Sequence, residues 1–270
     1  MNRFFKAAGV VALALGAAQP AAAFDWSDTS VGYRYGTKFA EPYNPNDIHK
    51  HIVFLTHADG YQYGGNYMNL DVLKSDDRDD NATEAYLLYR HTLDIGKVTD
   101  HEFKGFGLRG LGLTAGFDIN HKNDKSYASR KRMLVAGPTL MVDVPGFLNV
   151  SLLAIWESNA PIGVASRYHY DTHAMLNASW GIPLGGSGWS FEGYVNYIGS
   201  KGRDEFGGPT GAETNLDMQI MYDCSSAVGL KAGKLKAGFE YQYWRNKFGN
   251  PSNVTGSLAQ TPMVRAEYHF

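Results

Sequence analysis

Along most of the chain, apolar and polar residues alternate with a period of two. Leu111, Leu113, Ala115, Phe117 and Ile119 interleave with Gly112, Thr114, Gly116, Asp118 and Asn120. Successive side chains of a strand point to opposite faces, so this segment offers one face to an apolar medium and the other to water. The pattern returns in Leu216, Met218, Ile220 and Tyr222 against Asn215, Asp217, Gln219 and Asp223. It returns again in Leu235, Ala237, Phe239, Tyr241 and Tyr243 against Lys236, Gly238, Glu240, Gln242 and Trp244. Tyr170, Thr172, Ala174, Leu176, Ala178 and Trp180 form a further apolar face, opposed by Asp171, His173, Met175, Asn177 and Ser179.

Read in this way, the sequence predicts twelve strands, at 26–36, 51–63, 67–74, 84–93, 107–120, 132–144, 147–158, 168–181, 189–199, 214–223, 235–246 and 262–270. The second is the least regular. An even number brings both ends of the chain to one side of a membrane. Tight turns are expected at Gly64 to Asn66, at Pro145 with Gly146, and at Pro183 to Gly188. Longer polar links fall at 37–50, 75–83, 121–131, 200–213 and 247–261. The two kinds largely alternate, as the short periplasmic turns and long outer loops of an outer-membrane barrel do. The links at 94–106 and 224–234 are longer than that rule prefers.

Aromatic residues gather near strand ends on the apolar face: Trp156, Trp180, Trp189, and Tyr33, Tyr35, Tyr197, Tyr222, Tyr241 and Tyr243. They would form two interfacial girdles. In the last strand Val264, Ala266, Tyr268 and Phe270 alternate with Met263, Arg265, Glu267 and His269, and a terminal phenylalanine in such a strand resembles the signal read by the barrel-assembly machinery. The fold expected is all-β, a twelve-stranded antiparallel transmembrane β-barrel over residues 24–270. A soluble β-sandwich would alternate similarly but needs no girdles, secretion signal or terminal aromatic.

Residues 1–23 read as a cleaved signal peptide. Arg3 and Lys6 precede a short apolar run, and Ala21, Ala22 and Ala23 offer small residues at a cleavage point. The strand at 26–36 follows almost at once, so no plug or periplasm-spanning domain is expected. Beyond the signal, no apolar stretch approaches the length of a membrane helix, but barrel strands average to a hydrophilic score. The mean hydropathy of −0.32 is therefore compatible with a membrane protein. Without Arg3 and Lys6 the charge balance is 23 basic against 27 acidic residues, which suggests no nucleic-acid partner. Cys224 is the single cysteine, so no internal disulfide can form.

Several patterns carry less than they first suggest. Gly105, Gly107 and Gly110 match a dinucleotide fingerprint, but a strand follows where that motif opens a helix. Asp76, Asp77, Asp79 and Asp80 crowd one outer loop around Arg78, either as a solvated loop or as a divalent-cation bridge to lipopolysaccharide. Asp171, His173 and Ser179 share a strand face, but Ser179 lies about 20 Å from His173 along an extended chain. No catalytic constellation, metal site or cofactor is expected.

A barrel of twelve strands should enclose a narrow passage, between the filled interior of eight strands and the open channel of sixteen. Its inward set includes the carboxylates of Asp71, Asp118, Asp143, Glu157, Asp171, Glu192, Asp217, Glu240 and Glu267. Against these stand Arg34, Lys236 and Arg265, with amides such as Asn177, Asn196 and Gln219 as neutral partners. Such a wall disfavours phosphates and suits neutral polyhydroxyl or cationic solutes. His173 is a further candidate on the inward face, and Tyr194 and Trp244 are inward aromatics able to stack on a flat solute. Many of these charges would instead pair with one another across the lumen.

The segment Trp26 to Gly36, the run Leu55-Thr56-His57-Ala58-Asp59-Gly60-Tyr61-Gln62-Tyr63-Gly64, the stretch Asn66 to Asp71 and the ending Tyr268-His269-Phe270 resemble the Tsx-like family of nucleoside-specific outer-membrane channels. The similarity extends over the mature chain and is nearer the OmpK branch. It implies passive uptake of nucleosides through a twelve-stranded channel, without energy coupling, cofactor or enzymatic activity. It also implies that outer loops serve some members as bacteriophage receptors. A surface receptor or adhesion barrel, whose loops carry Tyr43, Tyr127 and Phe206, is the alternative. The expected surroundings are the outer membrane of a Gram-negative bacterium, with its lipid and lipopolysaccharide as partners.

Overall fold

A computed structural model describes residues 24–270, and residues 1–23, expected to be a signal peptide, lie outside them. The strands are β1 (Trp26–Phe39), β2 (Ile48–Tyr61), β3 (Gly64–Ser75), β4 (Thr83–Asp94), β5 (Leu108–Lys122), β6 (Arg132–Val142) and β7 (Phe147–Asn159). They continue with β8 (Tyr168–His169), β9 (His173–Pro183), β10 (Trp189–Ile198), β11 (Glu213–Asp223), β12 (Leu235–Arg245) and β13 (Leu258–His269). Each long strand pairs antiparallel with its neighbours in the chain. The ring closes where β1 meets β13, with Val31 opposite Tyr268, and β6 pairs with β7 to leave no edge. Twelve strands form this closed transmembrane wall, and β8 is a two-residue appendage of β7 in an outer loop.

The period-two alternation becomes an apolar outside and a mainly polar inside, the inner wall also carrying two buried apolar clusters, Phe39, Ile48, Ile52 and Met263, and Val135, Leu153, Ile155 and Met175. Leu134, Leu152, Leu176, Phe239 and Val264 stand exposed on the outer face, while Thr114, Asp118, Thr139 and Glu240 on the inner face are buried. Trp156 and Tyr197 face outward toward the long-loop end. Trp180 with Phe191, and Trp189 with Tyr222, stack toward the short-turn end, at ring separations of 5.4 and 5.0 Å. Both girdles are present.

Three local differences from the sequence reading have physical causes. The first hairpin turns at residues 62–63, because Tyr61 pairs with Gly64, two residues earlier than its glycines suggest. Gly64 serves a close approach of strands instead: a Cβ there would lie 2.1 Å from the Thr92 carbonyl oxygen. The expected strand 168–181 is broken at 170–172. Tyr170 turns inward and donates to Glu205 at 2.6 Å, and the Asp171 amide bonds the Lys201 carbonyl in the next loop. Finally β13 starts at Leu258, with Pro262 inside the strand opposite Tyr241, where the sequence reading delayed it to 262. The β1 ladder ends at the pair Gly36 and Met263, so Pro262 has a ladder partner on one side only, a position where a missing N–H is tolerated.

The two inner links that looked too long are folded structures. Asp94 caps the short helix α1 (Ile95–Thr99), accepting from the Gly96 and Lys97 amides at 3.0 and 3.2 Å. In the 224–234 link, Ser225 Oγ accepts from the amides of Lys234 and Leu235 at 2.9 and 2.8 Å, pinning the chain back to the strand it leads into.

Candidate functional site

The barrel interior is organised around a charge ladder at mid-height. Arg34 of β1 and Arg265 of β13 lie directly opposite each other in the register. Like charges so placed repel unless something stands between them. Glu240 of β12 does so, holding Arg34 Nη1 at 2.7 Å with one oxygen and Arg265 Nη1 at 2.9 Å with the other. Asp71 of β3 takes the second arm of Arg34 at 2.6 Å, and Glu267 that of Arg265 at 2.9 Å. The Phe54 ring lies beside both guanidinium groups, 5.1 Å from Arg34 Cζ and 4.2 Å from Arg265 Cζ. Gly32 makes room for that ring, since a Cβ there would come within 2.2 Å of Phe54 Cζ. Across the lumen Arg90 of β4 pairs with Asp118 of β5, which also accepts from the Tyr86 hydroxyl at 2.5 Å.

Nearer the short-turn end, the inner wall carries a row of hydroxyls. Thr92, Thr114, Thr139 and Ser151, on β4 to β7, bond in sequence at 2.8, 2.6 and 2.7 Å. Asn177 lies opposite Ser151, and its amide donates to Asn196 at 2.7 Å, so the row continues on β9 and β10. Buried inner-wall atoms Arg34 Nε, Asn149 Oδ1, His173 Nε2 and Asn215 Oδ1 have no partner within the protein.

Among the inward aromatics, Tyr67 of β3 is the accessible one: it is 43% exposed, shares a face with Asp71 and lies opposite Arg90. Tyr86, Tyr194 and Phe54 are more enclosed.

Two further clusters brace the long-loop end. Glu41, from the loop after β1, accepts Lys50 Nζ at 2.6 Å and Lys247 Nζ at 3.3 Å, while Lys122 holds Asp79 at 2.8 Å. Burial alone would raise the Glu41 carboxyl, but Lys247, Lys50 and Lys122 overcome it and hold the group well below the usual carboxylate range. On the opposite wall Glu157 lies 3.2 Å from Lys131 and 3.1 Å from Lys201. Beside it Glu205 accepts from Tyr127 and Tyr170.

The sequence-derived candidates are thus divided among three places. Arg34, Asp71 and Glu240 meet in the mid-lumen network, and Asp118 is held across the lumen by Arg90. Tyr194 lies in the same zone, opposite Asp217 of β11. Glu157 and His173 face inward but sit at the loop end, 3.9 Å apart, among the bracing lysines. Trp244 is inward but committed to the loops: its indole donates to Glu213 at 3.1 Å and its ring packs edge-on to Phe248 at 4.7 Å. Asp171 does not line the lumen. It is exposed at the strand break, where its main chain is drawn out to the next loop, and Asp143 is likewise exposed in a turn after β6. The sequence reading missed Arg90, Lys50 and Lys122 as inward bases, and Tyr67 and Tyr86 as inward aromatics. Their signal was present in the parity: each falls on the same side of its strand as Asp71, Glu84, Ile52 or Asp118.

No protein-family model matches the chain, and neither does any curated protein sequence. Among solved structures, the KdgM porin is similar over 89% of this chain and 99% of its own, at 11% identity and a TM-score of 0.44. The NanC porin is similar over 90% of this chain and 99% of its own, at 9% identity and a TM-score of 0.49. The translocator domain of the autotransporter NalP from Neisseria meningitidis covers 98% of this chain and 94% of its own, at 13% identity and a TM-score of 0.42. At such identities the likeness is one of general shape, and the closed twelve-stranded barrel stands on its own geometry.

Proposed function

We propose that the barrel is a passive channel for nucleosides or similarly small, neutral polar solutes across the outer membrane. The observation that carries this reading is the open face of Tyr67 in a wall of hydroxyls and amides. A flat base can stack on the ring while ribose hydroxyls exchange hydrogen bonds with the half-buried Asn69 and Thr92 beside it. The resemblance of the Trp26, Leu55 and Asn66 segments to nucleoside channels supports the same solute class.

The charges favour neutrality of the solute for a different reason than a uniformly acidic wall. Asp71, Asp118, Asp217, Glu240 and Glu267 outnumber Arg34, Arg90 and Arg265, so an acidic excess remains, but every one of these guanidinium groups already holds a carboxylate. A phosphate would have to displace one of those carboxylates and then sit beside it. A neutral solute asks for neither.

In planar bilayers, the purified barrel should give discrete conductance steps, and uridine added to one side should reduce the current. Tyr67→Ala should weaken that block about tenfold, the loss of roughly one base stack. Steps that uridine leaves unaltered in the wild-type protein would remove the nucleoside reading. The exposed Tyr43 and Phe206, 75% and 63% accessible on loops held by the ion pairs above, favour a receptor surface as a second role.

A further inference from the structure

On the lipid-facing side, at the long-loop end of β5 to β8, three arginines converge without a carboxylate. Arg167, in the loop before β8, donates to the Arg130 carbonyl at 2.8 Å and to Ser158 Oγ at 3.3 Å. Ser158 is opposite Arg132 in the β6–β7 register, which brings the third guanidinium to the same spot. Arg130 and Arg132 are exposed. Among the described residues no carboxylate pairs with any of the three. The acids on these same strands, Asp118 and Glu157, point inward and are held by Arg90, and by Lys131 and Lys201. Burial and the charges of Arg132 and Arg130 push the Arg167 guanidinium below its usual value, which marks an uncompensated cationic cluster.

Directly below the cluster the wall is apolar and recessed. One row toward the bilayer centre, Phe117, Leu134 and Trp156 stand in register across three strands. They line a groove of about 690 Å3 that reaches up to Arg132, Ser158 and His169. A second hollow of about 480 Å3 follows it down the wall, between Ala136, Leu152, Ala154 and Ala174, where small side chains set the surface back. A cationic rim above an apolar furrow complements an amphiphile with an anionic head and hydrocarbon chains.

We propose that this furrow binds a phosphorylated lipid of the outer leaflet, with Arg130, Arg132 and Arg167 on its phosphate and its chains against Leu134 and Trp156. Arginine suits the task because its planar fork engages phosphate oxygens in pairs. The site is independent of what crosses the lumen. The ordered ligand would fix the 123–131 and 160–172 loops to the membrane surface.

The test is native mass spectrometry of the detergent-purified barrel titrated with bisphosphorylated lipid A, with the same lipid stripped of phosphate, and with inorganic phosphate. The wild-type protein should retain one bisphosphorylated lipid at concentrations about tenfold lower than it needs for the stripped lipid. Inorganic phosphate should neither bind nor displace it. The triple substitution R130Q/R132Q/R167Q should abolish that preference, whereas K38Q, an exposed cation on the far side of the ring, should leave it intact. Equal retention of the two lipids by the wild-type protein overturns the proposal without any variant. So does a triple variant that folds, by its heat-modifiable migration, and still prefers the phosphorylated lipid. Displacement by inorganic phosphate alone would show a simple anion site instead.

Discussion

Glu240 decides whether two arginines can share one height of the barrel. With both oxygens engaged and only 2% of its surface accessible, it separates charges that the strand register forces together. Glu240→Ala leaves Arg34 and Arg265 facing each other with half their partners gone. Removing one member of a buried ionic network costs about 3–5 kcal/mol. The urea midpoint of the folded barrel in lipid vesicles should fall accordingly, and Arg265→Met in the Glu240→Ala background should recover part of the loss. An unchanged midpoint for the single variant would mean that the ladder contributes nothing to stability. At the same scale, Asp171→Asn is expected to leave ion selectivity untouched, because the residue sits at the loop rim and not in the passage.

The outer loops are elements in their own right, held down by ion pairs around a small apolar cluster of Phe39, Ile48, Ile52 and Met263. Glu41 is the pH-sensitive part of this arrangement. Its folded pKa lies below the unfolded value, so its contribution is fully present above the ordinary carboxylate range and is lost as pH falls through that range toward the depressed value. The hydrogen-exchange protection of residues 40–47, corrected for the pH dependence of intrinsic exchange, should therefore be constant from neutrality down to about pH 5 and fall on further acidification. Glu41→Gln should show lower protection near neutrality and lose most of the acid dependence. Protection as high at about pH 3 as at neutrality would place the restraint elsewhere.

The strand walls were legible in the sequence because alternation is a local signal, and one face per strand is dictated by the lipid. Where a strand stops was less legible, since Tyr170 and Pro262 are judged by tertiary partners that sequence does not reveal: Glu205 in a loop for one, the end of the β1 ladder at Met263 for the other. The lumen followed the same division. Arg34, Asp71, Asp118 and Glu240 could be assigned inward by parity. That Glu157 and Trp244 serve the loops, and that Lys50 and Lys247 close over Glu41, depends on contacts between segments up to two hundred residues apart.

At the level of the whole molecule, the topology makes a direct prediction. Both described chain ends lie at the short-turn end, and the links at 76–82 and 199–212 lie at the other. Tags inserted near Asp79 or Gly207 should be accessible on intact cells, and tags near Gly146 or Gly186 should not. Surface labelling at Gly146 would invert the barrel and, with it, the position of the lipid furrow.

The central claim is that a neutral nucleoside passes through this lumen more readily than its charged counterpart. Paired uptake of uridine and uridine monophosphate into liposomes containing the barrel, at low salt, tests it most directly. The monophosphate carries close to two negative charges. It must enter a passage with an acidic excess and no free guanidinium, where a barrier increment of about 1.4 kcal/mol already slows crossing tenfold. Uridine should equilibrate at least about tenfold faster than the monophosphate. Equal rates for the two would contradict charge-based selection, and entry of neither would leave the loops, not the lumen, as the working part of the molecule.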